Sequence, residues 1–213
     1  MKICKVEKCG GNADYRVNGH LGYCIKHYHQ FHRYGKIFKR TYRDKNEFVD
    51  CGSYYEIILY NDSNRLNPTE KNRTIIDKCD FERIKNFKVG LTGKYAHISI
   101  GKNKLLLHCF LLNKSDNKFD IDHINGNKLD NRQQNLRFAS RSQNMMNCGL
   151  RTNNKSGFTG IYWSKLGGLW IAEIMVNYRK IKLGRFKDKQ DAIQSRRKAE
   201  LMYFGEFAHK IIC

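Results

Sequence analysis

A carboxylate, an imidazole and two amides lie close together in the middle of the chain, a set of groups suited to metal-assisted cleavage of a phosphodiester. The run Ile121-Asp-His-Ile-Asn-Gly-Asn-Lys-Leu-Asp-Asn-Arg132 is followed by Asn135-Leu-Arg137 and Ser140-Arg-Ser-Gln-Asn144. A phosphodiester repels hydroxide, so a hard divalent cation on oxygen ligands must neutralise the charge that develops at the leaving oxygen. Asp122 and Asn144 offer such oxygens. The attacking water needs a base that is neutral near pH 7, and an imidazole with an ordinary pKa of about 6.5 meets that need at His123. Adjacent residues of an extended strand point to opposite sides, so Asp122 can hold metal while His123 faces the water.

The elements that must position these groups are legible nearby. Gly126-Asn127 is a turn signal, and Ile121, Ile124, Leu129 and Leu136 can bury one side of the flanking extended segments. Ser140 can cap a helix that begins near Arg141 and places Asn144 about one turn in. Asp122-His123, Asn135, Asn144 and the Leu-Asp-Asn-Arg turn resemble the ββα-metal nuclease motif of HNH endonucleases of the phage and homing type, over roughly residues 105–147. The resemblance implies one magnesium or manganese ion held by Asp122 and Asn144, with His123 as general base. It also implies that Asn135 positions the imidazole and braces the loop. Cys109 stands where members of that family often carry Arg after a His matching His108, and His108 receives no role.

Forty Lys and Arg against twenty Asp and Glu give the 213 residues a formal charge of +20, so a polyanion is the expected partner. Residues 151–213, with thirteen basic and five acidic side chains, are the most densely basic part. No stretch approaches the ~20 apolar residues of a membrane span, and the opening Met-Lys-Ile-Cys-Lys has no apolar signal core. The expectation is a cytoplasmic monomer acting on double-stranded DNA. Eight cysteines in such a compartment argue for metal or free thiols over disulfides. Cys51, Cys79, Cys109, Cys148 and Cys213 lack ligand spacing and read as reduced, most of them buried or incidental.

Cys4-x4-Cys9 and Cys24-x2-His27 are two short chelating pairs separated by fourteen residues, and can close a tetrahedral zinc site of three thiolates and one imidazole. His29 and His32 are rival ligands. So small a segment buries little apolar surface, so metal binding would supply most of its folding free energy. The amphipathic run Ile25 to Tyr34 predicts a short helix packed on the metal turn. The whole resembles the zinc knuckles that open many phage HNH proteins, which usually end in a pair like Tyr34-Gly35.

Residues 36–50 read as a polar connector. Beyond them, Tyr54 to Tyr60 and Ala96 to Ile100 predict strands, Asp80 to Asn86 a short helix, and Lys104 to Leu112 an apolar segment entering the motif. These pieces form a platform for the catalytic unit, and no chemistry is assigned to residues 51–104. Met145 to Asn154 read as a flexible linker. From Gly160 to Phe186, runs separated by Gly167-Gly168 and Asn177-Tyr178 predict a three-stranded antiparallel sheet. Its inner face holds Trp170, Ala172, Ile174 and Val176. Asp188 caps a helix that offers Ala192, Ala199 and Met202 or Tyr203 to the sheet, with Arg196, Arg197 and Lys198 on its outer side. Ser156-Gly-Phe-Thr-Gly-Ile-Tyr-Trp163, Trp170-Ile-Ala-Glu-Ile174 and Leu183-Gly-Arg-Phe186 resemble the plant ethylene-response-factor type of DNA-binding domain. The likeness implies that Tyr162, Ser164, Met175, Lys180 and Lys182 face DNA, chiefly through phosphate anchoring.

The sequence thus predicts an α+β chain of small modular domains: a zinc knuckle over residues 1–38, a platform with the ββα-metal unit over 51–147, and a three-stranded sheet packed on one helix over 155–210. A metal-dependent HNH DNA endonuclease is the expected function. The competing reading is a DNA-binding regulator or architectural protein with an inert nuclease fold, and RNA is an alternative substrate.

Overall fold

Short antiparallel sheets recur along the chain, with Gly93, Gly101 and the pair Asn177 and Tyr178 at positive φ in three of their turns. A computed structural model describes residues 3–6, 9, 11–13, 15–17, 20–37, 44–60, 68–150 and 152–208. At the start, β1 (Tyr15–Val17) pairs with β2 (His20–Tyr23) and leads into α1 (Ile25–Tyr34), which ends at Gly35 in the left-handed conformation. Next come β3 (Phe48–Asp50), β4 (Tyr54–Tyr60) and β5 (Glu70–Asp77) in one sheet, then α2 (Phe81–Ile84). A second sheet holds β6 (Lys88–Thr92), β7 (Tyr95–Ile100) and β8 (Asn103–Leu106), and α3 (Leu107–Leu111) follows directly. The hairpin β9 (Asp120–His123) and β10 (Leu136–Ala139) precedes α4 (Arg141–Met146). Last are β11 (Ile161–Ser164), β12 (Leu169–Val176) and β13 (Arg179–Phe186), with α5 (Lys189–Phe204). The fold is α+β, built of small sheets and few helices.

One core joins the two central sheets. Ile57 and Leu59 of β4, Ile76 of β5, Ile84, Val89, Ala96, Ile98, and Leu107 and Leu111 of α3 are buried together, and Leu129 from the loop between β9 and β10 packs on them. Burying each large aliphatic side chain stabilises by about 1.5–3 kcal/mol, and it fixes the β9–β10 unit to its platform. Residues 38–43 of the expected connector lie outside the described residues. The rest of it is more than a connector: Phe48–Asp50 is a strand, and the buried Asn46 ties the sheets by donating to Ile58 O and Val89 O (2.7 and 2.8 Å) and accepting from Val89 N (2.8 Å). A buried amide persists only when its hydrogen bonds are made, as they are here.

In the last unit β12 pairs with both neighbours, and Asn177 and Tyr178 take positive φ at the β12–β13 turn. Asp188 caps α5 by accepting from Gln190 N. The stripe that α5 buries differs from expectation. Ala192, Ile193, Arg196, Ala199 and Phe204 are buried, whereas Met202 and Tyr203 face solvent. Arg196 turns inward because it satisfies a backbone carbonyl, that of Glu173 beside the irregularity in β12, and also donates to Glu200 Oε1 at 2.8 Å. Gly160, with φ +72°, makes room for that contact: a Cβ there would lie 2.2 Å from Glu173 O and 2.4 Å from Arg196 Nη1. Gly160→Ala should therefore destabilise the unit by at least about 1–3 kcal/mol, read as a lowered urea midpoint. An unchanged midpoint would contradict the crowding.

The segment read as a flexible linker is anchored at its start. Met146 packs on Ile174, Ala199 and Phe204 of the last unit, and Asn147 is buried. Asn154 then closes a turn by accepting from Gly157 N and donating to Phe158 O. Residue 151 and residues 209–213, including Cys213, lie outside the described residues. The other four unclustered cysteines are free thiols, as expected; Cys51 and Cys109 are half-buried and Cys79 and Cys148 exposed, so the four fit the incidental and not the buried reading. No helix of the described residues is long and apolar enough to cross a membrane.

Candidate functional site

The β9–β10 ladder pairs Leu136 with His123 and Arg137 with Asp122. Because β9 is extended, Asp122 and His123 leave it on opposite sides, as the sequence implied. Between the strands, asparagines and aspartates close the loop on itself. Asn125 Oδ1 accepts from Asn127 N, Asn127 Oδ1 from Leu129 N, and Asp130 takes paired bonds from Arg132 at 2.7 and 2.8 Å. Asn135 accepts from Asn125 N (2.9 Å) and donates to Asp130 O (2.7 Å), so it braces the loop. Its other expected role falls elsewhere. The imidazole is held by Asn131, whose Oδ1 lies 3.3 Å from His123 Nε2, because the loop closes with Asn131 over β5 and with Asn135 turned to the loop backbone.

His123 is fully buried, and Nδ1 has no hydrogen-bond partner among the described residues. The edge of the ring meets His108 of α3 at 5.0 Å between centroids, and Tyr95 of β7 packs against both. Burial first, and then the charge of Lys128, pull His123 down to about 4 against the opposing effects of Asn131, Asp122 and Asp130. Burial, then His123 and Lys128, bring His108 to about 4 as well. Both folded values lie below the unfolded 6.5, so the unfolded chain binds these protons more readily, and stability present above pH 6.5 is lost as pH falls towards 4. Between pH 7.5 and 5 the unfolding free energy from urea titration should fall by roughly 4 kcal/mol, about 2 from each ring. His108→Leu should remove roughly half of that loss, and equal acid losses in both proteins would refute buried neutral imidazoles.

Asp122 is buried on the opposite side of β9. Arg137 donates to its Oδ2 from Nη2 (2.7 Å) and Nε (3.0 Å), reaches Glu206 O with Nη1 (2.6 Å) and lies 4.0 Å over the Phe207 ring. The amide that meets this carboxylate is Asn147. Asn144 is half-buried in α4, and no hydrogen bond joins it to Asp122 among the described residues. Asn147 closes α4 at its C-terminal end, three positions after Asn144. The capping box of Ser140 and Gln143 sets that helix start. Around Asn147 Nδ2 lie four oxygens within 3.3 Å: both carboxylate oxygens of Asp122, His123 O and Ile124 O. An amide nitrogen has two protons for these four acceptors, and a cluster of hard oxygens of this kind suits a divalent cation.

Residues 114–146 match the HNH endonuclease family. The matched segment starts just beyond α3 and runs through the hairpin to the end of α4, and it contains Asp122, His123, Asn135 and Asn144. The chain is also similar to Protein 3.8 of Escherichia phage T7, at 42% identity over 50 residues, which is 24% of this chain and 41% of that protein. The match thus spans about two fifths of that relative's length. No solved structure matches the chain. Residues 114–146 are thus similar to HNH endonucleases, and this HNH segment lies in chain order between the Cys4–His27 cluster and the last sheet.

Ahead of the HNH segment, Cys4, Cys9, Cys24 and His27 bring one ligand atom each within 4.8 Å of one another. His27 Nδ1 lies 3.3 Å from both Cys4 and Cys24 Sγ, and Cys9 Sγ is 3.5 Å from Cys24 Sγ. Ligands on a tetrahedral zinc would stand about 3.5–3.8 Å apart, given Zn–S near 2.3 Å and Zn–N near 2.0 Å. The four groups fit such an ion with little movement. Gly11 completes the cradle, since a Cβ there would come 2.9 Å from Cys24 Cβ. Of the rivals, His29 and His32 are exposed on α1 and outside the cluster, the latter against Tyr28.

Beyond the HNH segment, the outer face of the last sheet carries the five expected residues. Cross-strand partners share a face, so the pairs Tyr162–Ile171, Ser164–Leu169, Met175–Lys180 and Glu173–Lys182 put Tyr162, Ser164, Met175, Lys180 and Lys182 together. Glu173 sits among them, 2.9 Å from Lys180 Nζ and 3.3 Å from the Tyr162 hydroxyl. Arg185, opposite Ile171, is an exposed cation on that face which sequence reasoning missed, because the irregularity after Ala172 shifts the pairing. Sequence reasoning also missed Asn131, Arg137, Asn147 and Tyr95. Asn131 and Arg137 were visible in the motif run, but only pairing partners show what they touch.

Proposed function

We propose that the chain is a metal-dependent endonuclease that hydrolyses phosphodiester bonds in double-stranded DNA. The observation that carries this reading is the buried His123, held through Nε2 with Nδ1 unpartnered, back to back with a buried Asp122 inside the segment that matches the HNH family. Asp122 and the Asn144 amide oxygen would hold one magnesium or manganese ion, which when bound neutralises charge at the leaving oxygen. His123 Nδ1 takes a proton from water as the oxygen attacks phosphorus, and the bond to the sugar oxygen breaks. Neutral at pH 7, the ring is in the state a base requires. Zinc would hold the Cys4–Cys9–Cys24–His27 unit together as a structural ion. The outer sheet face, with Lys180, Lys182 and Arg185, would anchor phosphates of the duplex. A phage or mobile-element nuclease acting in a host cytoplasm is the setting that the similarity to the T7 protein supports.

One observation favours a second reading. Arg137 neutralises Asp122, as would suit a DNA-binding protein whose nuclease fold is inert. Supercoiled plasmid incubated with the protein and magnesium, manganese or chelator separates the two. Metal-dependent nicked or linear product is the expected result. Binding without any break in either metal would favour the inert fold, and cleavage of RNA alone would overturn the choice of DNA.

A further inference from the structure

We propose that Thr74, on a strand outside the matched segment, is a positioning residue that sets which nitrogen of His123 carries the proton. The inference rests on His123 as the base, and it deepens that reading. Three buried groups lie in series. Thr74 Oγ1 donates to Leu129 O at 2.8 Å, Asn131 Nδ2 donates to Thr74 Oγ1 at 2.8 Å, and Asn131 Oδ1 stands 3.3 Å from His123 Nε2.

Each direction follows from the one before. A carbonyl oxygen only accepts, so the single hydroxyl proton of Thr74 goes to Leu129 O. The hydroxyl then has only lone pairs to offer Asn131, which turns the NH2 end of that amide towards β5 and its oxygen towards the ring. An amide oxygen also only accepts, so Nε2 must carry the proton of the neutral imidazole. Nδ1 is left with the lone pair, and it is the nitrogen found buried without a partner. Without the hydroxyl, the amide could flip and offer NH2 to the ring, which would favour the proton on Nδ1 and block the base.

Backbone pairing holds the series in register. Ile75 N donates to Leu129 O (2.8 Å) and Asn131 N to Ile75 O (2.9 Å), a short parallel bridge between β5 and the loop. The platform thus reaches the catalytic ring through one hydroxyl. This gives residues 51–104 a part in the chemistry that their sequence did not disclose.

The test uses the full-length protein labelled with 15N at histidine, at pH 7.5, in the parent, Thr74→Val and Thr74→Ser. Long-range proton–nitrogen spectra distinguish the two tautomers of His123 directly. The parent and Thr74→Ser should show a protonated Nε2 and a bare Nδ1. In Thr74→Val, of nearly equal shape, a substantial part of the signal should move to protonated Nδ1. Cleavage by Thr74→Val should lose about tenfold or more in kcat with KM within about twofold, and Thr74→Ser should restore it. A parent ring protonated at Nδ1, or a Thr74→Val spectrum identical to the parent, overturns the proposal; the first outcome needs no variant to fold. If the spectra change as expected while no protein cuts nucleic acid, the relay stands and the nuclease reading falls.

Discussion

His123→Ala is expected to lower DNA cleavage by about 10²–10⁴-fold while leaving duplex affinity within about twofold. The rate depends on the ring because no other described imidazole combines burial, an oriented Nε2 and an unpartnered Nδ1 beside Asp122. Affinity should survive because the exposed cations of the last sheet lie on a different element. Single-turnover cleavage at saturating protein gives the first quantity and fluorescence anisotropy the second. Since the ring packs on His108 and Tyr95, its loss also opens a cavity, and a thermal melt must confirm that the variant is folded at the assay temperature. Asp122→Ala should abolish cleavage too, but with a second signature: metal no longer binds, and Arg137 loses its buried partner. A folded His123→Ala protein that cut within tenfold of the parent would remove His123 from the mechanism.

The second large effect concerns zinc. The parent should hold one zinc per chain by elemental analysis, and Cys24→Ala none after dialysis against a mild chelator. A structural zinc of this kind contributes about 10–16 kcal/mol to the folding of its unit. Little else could replace it, because among the described residues of 3–37 the buried hydrophobics are Cys4, Ala13 and Cys24. Trypsin should therefore cut this part of Cys24→Ala far faster than the same part of the parent. The main core of β4 to α3 shares none of those residues, so its cooperative melt should move by only a few degrees. A parent protein free of zinc after purification without chelator would dismiss the site.

Much of this arrangement could be read from local pattern. Tyr54–Tyr60 forms the strand its alternation predicts, Ser140 caps α4, and Cys4, Cys9, Cys24 and His27 converge as their spacing implied. In each case the information is carried by neighbours in sequence: a strand period, a cap three residues from its partner, or chelating pairs on short turns. Arg196 shows where reading by residue type fails. Its charge groups it with Arg197 and Lys198, yet the helix period sets it with Ala192 and Ala199 on the buried side, where the Glu173 carbonyl accepts from it.

The amino-acid sequence by itself determined which chemical groups are available, namely the acid, the ring and the amides of the matched segment, and the element on which each sits. Tertiary structure alone decided which amide meets which group. Asn131 holds the ring where Asn135 was expected, Asn147 and Arg137 meet Asp122, and Thr74 joins from 57 positions away. The physical reason is that hydrogen-bond direction inside a buried site depends on every acceptor within reach. Those acceptors come from strands and loops far apart in the chain, and packing against the shared core brings them together.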